Sequence, residues 1–169
     1  DILVSNAARQ QAHDSILDIT TEDFDATMKT NIYAPFWIIK AAVPHLKPGS
    51  TIVASTSEQA IDPTPDLYDY AMTKAATTNY VRSLAKQLIS KGIRINGVAP
   101  GPIWTPLQVS GGANQEKLKQ FGGKTPMGRP GQPAEQAAAR VHRSDPAGQF
   151  RSGDRGPAAR LLSPGALDP

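Results

Sequence analysis

Two hydrophobic patterns alternate along the chain. Short apolar runs that are too brief for a helix occur at Ile2-Leu3-Val4, at Thr51-Ile52-Val53-Ala54-Ser55 and at Ile93-Arg94-Ile95-Asn96-Gly97-Val98-Ala99. Each ends in small or polar residues, which is the pattern of buried strands reaching loops. Between the first and second runs, Thr20 and Thr21 precede Glu22 and Asp23, an N-cap followed by acids at the positive end of a helix dipole. Phe24, Met28, Ile32 and Phe36 then recur at spacing four, and Ile39, Val43 and Leu46 carry the same face to a stop at Lys47-Pro48-Gly49. Pro35 and Pro44 should each bend this helix locally. Between the second and third runs, a loop rich in Pro and Asp leads into another long helix with Val81, Leu84, Ala85 and Leu88 inward. Lys91-Gly92 ends that helix, with the glycine suited to the position just past its end.

Two strand–helix–strand crossovers in succession predict a parallel sheet with right-handed connections, hence the α/β class. Residues 104–133 read as one long Gly-rich loop, the kind that serves as a lid or stays irregular. A last helix begins near Pro133-Ala134-Glu135. Residues 140–169 then hold five Arg, four Pro and four Gly and no Ile, Lys or Tyr, so no strand is expected there. The division is therefore a domain over residues 1–139 and an irregular tail over residues 140–169.

Composition narrows the function. With 39% hydrophobic residues and no cysteine, the chain has neither a disulfide framework nor a thiolate metal site, which fits a reducing compartment such as the cytoplasm. His13, His45 and His142 lack ligand spacing, so no metal is expected. No apolar run approaches the roughly 18 residues that would span a bilayer. The net charge of +3 is not gathered into a stripe interleaved with aromatics, so nucleic acid is not an expected partner. Asp1-Ile2-Leu3-Val4 has no initiator Met and no basic leader, which predicts that the chain begins inside a longer protein.

In an open parallel sheet, ligands bind beyond the carboxyl ends of the strands. Asn6 follows the first run, Ser55-Thr56-Ser57 close the second, and Pro100 to Thr105 follow the third. Tyr70 and Lys74 lie one turn apart near the start of the second long helix, on one face. A phenol titrates near 10, so it needs a neighbouring cation to act as an acid or base near neutrality; Lys74 is placed to lower its pKa. A hydroxyl at Ser57 could hold the same substrate oxygen. These are parts of a hydride-transfer site.

Tyr70-Ala71-Met72-Thr73-Lys74, with Ser57 thirteen residues before Tyr70 and Asn31 in Lys29-Thr30-Asn31-Ile32, resembles the Asn, Ser and Tyr-x-x-x-Lys tetrad of the short-chain dehydrogenase/reductase family. Ser5-Asn6-Ala7-Ala8 is similar to that family's Asn-Asn-Ala-Gly, and Pro100-Gly101-Pro102-Ile103-Trp104-Thr105 to its nicotinamide loop. The segments 101–107 and 125–133 resemble bacterial members akin to glucose/ribitol dehydrogenases. The resemblance implies part of a doubly wound, Rossmann-like sheet in three α/β/α layers, with its first strands missing and its last strand degraded at residues 155–159. It implies an oxidoreductase that interconverts an alcohol or sugar hydroxyl and a carbonyl with NAD or NADP. The catalytic set would be Asn31, Ser57, Tyr70 and Lys74. The cofactor would be held by Asn6, Ala7, Tyr70, Lys74, Pro100, Gly101, Ile103 and Thr105. The segment that separates NAD from NADP belongs to strands expected before Asp1. The resemblance also implies a homo-oligomer, tetramer or dimer, built on helices over residues 22–46 and 68–90, with Trp37 and Tyr80 as interface aromatics. A competing reading, from a different class, is a truncated, non-catalytic remnant that cannot bind cofactor.

Overall fold

The computed structural model describes residues 1–137 and 159–162. Strand β1 (Ile2–Ser5) leads through a loop to helix α1 (Thr21–Met28), a π turn (Lys29–Tyr33) and helix α2 (Ala34–Ala42). Strand β2 (Thr51–Ser55), the long helix α3 (Tyr68–Leu88) and strand β3 (Arg94–Pro100) follow. Helices α4 (Pro106–Ser110), α5 (Gln115–Gln120) and α6 (Pro133–Ala137) are short, and strand β4 (Ala159–Leu162) is the last described element.

The sheet order is β1-β2-β3-β4. β1 pairs parallel to β2 with Leu3 opposite Ile52, and β2 pairs parallel to β3 with Ile52 opposite Ile95. Both crossovers step the same way across the sheet, so right-handed connections bring α1–α2 and α3 to one face. The core lies between them: Ile52, Ala54 and Ile95 from the strands meet Ile39, Val81 and Leu88 from the helices, with Ile93 at the entry to β3. β1 is an outer strand whose other face leaves Ile2 and Val4 exposed.

Several local signals act as read. Thr20 accepts a hydrogen bond from Asp23 N–H at 3.1 Å and starts α1. Gly92 sits at φ +68° in the left-handed region after α3 and its trailing 3-10 turn. Pro35 follows the π turn, and Pro44 lies in a 3-10 turn at Val43–His45, so both mark departures from α geometry.

Three expectations are corrected. The buried stripe of the first helical stretch is Thr27, Asn31, Pro35 and Ile39, whereas Phe36 is 57% exposed. The stripe keeps the spacing of four but lies one position away from Phe24, Met28, Ile32 and Phe36, because the polar Thr27 and Asn31 are held inside by hydrogen bonds to Arg9. Residues 104–133 are not one irregular loop, because Pro106 at the first turn starts α4 and Asn114 Oδ1 accepts from Lys117 N–H at 2.9 Å to start α5. A strand does form in the tail: Ala159–Leu162 runs antiparallel to β3, with Leu161 opposite Val98. Backbone pairing along an unpaired strand edge does not require β-branched side chains. The remainder of residues 140–169 lies outside the described residues.

Candidate active site

The carboxyl ends of β1, β2 and β3 bring the singled-out residues to one rim. β2 ends at Ser55, and the chain turns through Thr56 and Ser57 into a 3-10 turn at Glu58–Ala60. Ser57 Oγ accepts from Gln59 N–H at 3.2 Å, so its lone pair is used in holding the turn and its O–H is left to donate. The turn packs on α3, whose first two turns carry Tyr70 and Lys74.

Tyr70 and Lys74 are both buried, at 7% and 4% exposure. Burial pushes the Tyr70 phenol above its ordinary value of 10; the Ser57 hydroxyl beside it draws it down, and the charge of Glu58 pushes it up. The expectation that Lys74 depresses this pKa is not met in this arrangement. Its Nζ lies 5.4 Å from the centre of the Tyr70 ring and donates to Ser55 O at 2.8 Å, so its charge is held at the ring face and the strand end rather than at the phenol oxygen. Burial lowers Lys74 itself to about 8.

Asn31 is 3% exposed and lies within the π turn. Its side-chain Oδ1 accepts from Arg9 N–H at 2.7 Å, and its Nδ2 donates to Arg9 O at 2.8 Å and to Thr73 Oγ1 at 3.0 Å. Thr73 in turn donates to Tyr70 O at 2.7 Å. Asn31 therefore joins the loop after β1 to the helix of Tyr70, and its side chain reaches Thr73 rather than Lys74. Four residues after Asn31 stands Pro35, which has no N–H, so the Asn31 main-chain carbonyl cannot receive its usual α-helical hydrogen bond.

Asn6 and Ala7 are exposed in the loop after β1. Asn6 Oδ1 accepts from Ser55 Oγ at 2.7 Å, so Ser55 touches Asn6 through its side chain and Lys74 through its carbonyl. Pro100 ends β3. Gly101 follows, and Ile103 forms an isolated bridge with Gly131, supported by Trp104 N–H to Gly131 O at 2.8 Å. Thr105 occupies the N-cap position of α4 without using its hydroxyl there. Among the described residues, no cluster of His, Cys, Asp and Glu is arranged to hold a metal.

Four site neighbours carry no motif and were not found from the sequence. Arg9 holds Asn31 through its backbone and fixes its guanidinium to Asp23 at 2.6 Å and to Thr27 Oγ1 at 2.9 Å. Thr73 is the x in the motif that relays Asn31 to α3. Asp69, fully buried, accepts from Tyr70 N–H at 2.8 Å, and its Oδ2 has no partner among the described residues. Glu58 lies beside Ser57. An Asp immediately before a motif Tyr at a helix start was the only readable signal among them.

A family model described as enoyl-(acyl carrier protein) reductase matches residues 1–154. The chain belongs to the short-chain dehydrogenase/reductase family. It is 52% identical over 142 residues to the uncharacterized oxidoreductase YghA of Escherichia coli, covering 84% of this chain and 48% of that protein. It is 47% identical to the glucose and ribitol dehydrogenase of Daucus carota, covering 83% of this chain and 48% of that protein. A short-chain dehydrogenase from Burkholderia cenocepacia, solved in complex with NADP, superposes with a TM-score of 0.74 at 32% identity, over 82% of this chain and 55% of that one. The chain thus spans about half the length of the curated relatives it matches.

Proposed function

We propose that this chain supplies the catalytic part of an NAD(P)-dependent oxidoreductase that interconverts an alcohol or sugar hydroxyl and a carbonyl. The observation that carries the reading is the buried pair Tyr70 and Lys74 on one face of α3, with the donating hydroxyl of Ser57 brought against Tyr70 by the turn after β2. The donor set suits a nicotinamide nucleotide. Lys74 uses one of its three N–H donors among the described residues, on Ser55, which leaves two for ribose hydroxyls. The backbone at Gly101 and Ile103 and the uncommitted Thr105 hydroxyl suit a carboxamide, and Asn6 with Ala7 would flank the adenosine side. When bound, the nicotinamide gives or takes the hydride.

In the reduction direction, the Tyr70 phenol donates its proton to the carbonyl oxygen while Ser57 O–H holds that oxygen at a fixed distance. A phenol whose pKa is raised by burial is poised as the acid of this step. Lys74, lowered by burial to about 8, exchanges protons close to neutrality, and a hydroxyl or water between its Nζ and the phenol oxygen would carry the proton that resupplies Tyr70. The Asn31 carbonyl, denied its helical donor by Pro35, would anchor a water between Lys74 and solvent. Asn31 would then have two tasks: its side chain holds the loop after β1, and its main-chain carbonyl would hold the water.

The same reading makes the assembly a homo-oligomer. Phe36, Trp37 and Ile38 are exposed at 57%, 57% and 51%, consecutive apolar residues spread around the outer side of α2, which supports a helix–helix interface. Tyr80 is not part of it, since it packs against the core beside Val81 and Leu84. Among the described residues no helix is long and apolar enough to cross a membrane. The test is oxidation of NADH and NADPH by the intact protein that carries this chain, against a panel of aldehydes and ketoses. Carbonyl-dependent oxidation is expected; absence of both turnover and cofactor binding would favour the non-catalytic remnant.

A further inference from the structure

Glu58 is a carboxylate in an unusual position. It follows Ser57 directly and opens the turn Glu58–Ala60, which the Ser57 hydroxyl and the Glu58 carbonyl both brace. Its side chain turns toward the loop after β3. A β-carbon placed on Gly101 would come within 3.2 Å of Glu58 Oε2, so the carboxylate lies close against the Gly101 backbone. It is half-buried, and its charge is felt at the Tyr70 phenol on one side and opposed by Asp62 on the other. Among the described residues its carboxylate makes neither a hydrogen bond nor an ion pair: the cations that pair with acids there are Arg9, Lys29, Lys117, Lys119 and Arg129, each with another carboxylate.

A half-buried carboxylate with no protein donor is left to solvent, and a ligand hydroxyl can take the place of that water. It follows Ser57 in the chain, lies against Gly101 and has its charge felt at Tyr70, so a carbonyl held by Ser57 and Tyr70 would have Glu58 among its neighbours. We propose that Glu58 is a specificity-determining residue of this site, accepting a hydrogen bond from a hydroxyl on the carbon adjacent to the reacting carbonyl and excluding substrates with a carboxylate there. This rests on the oxidoreductase reading and narrows its substrate class to hydroxylated ketones and aldehydes, the chemistry of sugars and polyols, against 2-oxo acids. A hydroxyl donates to the carboxylate; a second carboxylate repels it and leaves both unpaired.

Hydroxyacetone and pyruvate share three carbons and differ only in hydroxymethyl against carboxylate next to the ketone. In the intact protein with its preferred NAD(P)H, kcat/KM should favour hydroxyacetone, and Glu58→Gln, which keeps the shape and removes the charge, should shift the hydroxyacetone-to-pyruvate ratio toward pyruvate by about tenfold or more. An unchanged ratio in a folded Glu58→Gln variant would overturn the proposal. The unmodified protein provides an independent reading: pyruvate should inhibit hydroxyacetone reduction only at concentrations about tenfold or more above the KM of hydroxyacetone, and inhibition at or below that KM would overturn it. Reduction of benzaldehyde with neither three-carbon ketone turned over would overturn the substrate assignment alone. No oxidation of NADH or NADPH with any carbonyl would overturn the oxidoreductase reading and this proposal together.

Discussion

Replacing Lys74 with Met should erase a pH-dependent part of the stability. Lys74 is 4% exposed, and burial lowers its pKa from 10.5 to about 8. Below pH 8 folded and unfolded states both hold the proton, and the folded state bears the whole cost of a buried ammonium. Between pH 8 and 10.5 the unfolded chain binds more protons than the folded one, so stability rises with pH; above 10.5 the cost is gone. At 1.36 kcal/mol per pH decade the full separation is worth about 3 kcal/mol, of which about 2 kcal/mol is recovered between pH 7 and 9.5. Tyr70 and Tyr80, both raised by burial, act in the opposite direction only above their ordinary value of 10. The Ser55 carbonyl loses its donor in the variant at both pH values, so comparing the two pH values isolates the titration. Urea unfolding followed by circular dichroism at pH 7 and 9.5 measures it. Wild type should gain about 2 kcal/mol relative to Lys74→Met over that interval. Parallel changes, within about 0.5 kcal/mol, would show that Lys74 is solvated in the folded state and refute the reasoning.

Asn31→Ala removes three hydrogen bonds and leaves Arg9 N–H and C=O unpaired, so it should cost roughly 2–3 kcal/mol. Hydrogen exchange should show the Arg9 amide losing protection ahead of the core strands, and an unchanged Arg9 exchange rate would contradict the contact. Gly122 adopts φ +73° with a would-be β-carbon 2.3 Å from Pro130 N, so Gly122→Ala should destabilise the segment around α5 by about 1–3 kcal/mol, read as easier proteolysis between residues 115 and 130. Exchanging Phe36 and Trp37 together for Glu should shift the intact protein toward monomer in sedimentation at micromolar concentration while leaving its circular dichroism intact, because both side chains are exposed in this chain.

The legible parts of the fold were those set by local pattern. β1, β2, β3 and α3 follow from apolar runs, a proline-rich entry and Gly92, each of which acts within a few residues. Ser57, Tyr70 and Lys74 were legible because a helix turn and a strand end bring sequence neighbours together. What escaped depends on contacts between distant segments or on phase. The inward stripe of the first helical stretch is Thr27, Asn31, Pro35 and Ile39, one position away from the apolar one, and its polar members are held inside by Arg9, a contact that a count of apolar spacing cannot register. Arg9 and Asn31 are 22 residues apart, Asn31 and Thr73 are 42 apart, and neither pairing has a local signal. Tyr80, expected as an interface aromatic, packs against the core instead, since the buried side of α3 reaches round to it. The antiparallel β4 rests on pairing with β3 across nearly sixty residues of chain, which composition cannot foretell.

Turnover by Tyr70→Phe in the intact protein tests the central claim most directly, since the substitution removes one hydroxyl and keeps the buried ring and its neighbours Lys74 and Ser57. Steady-state NAD(P)H oxidation with a carbonyl substrate, beside a fluorescence titration of cofactor, separates chemistry from binding. Turnover should fall by roughly a hundred- to ten-thousand-fold while the cofactor Kd stays within about threefold. Turnover within about tenfold of wild type would exclude Tyr70 as the proton donor and contradict the account.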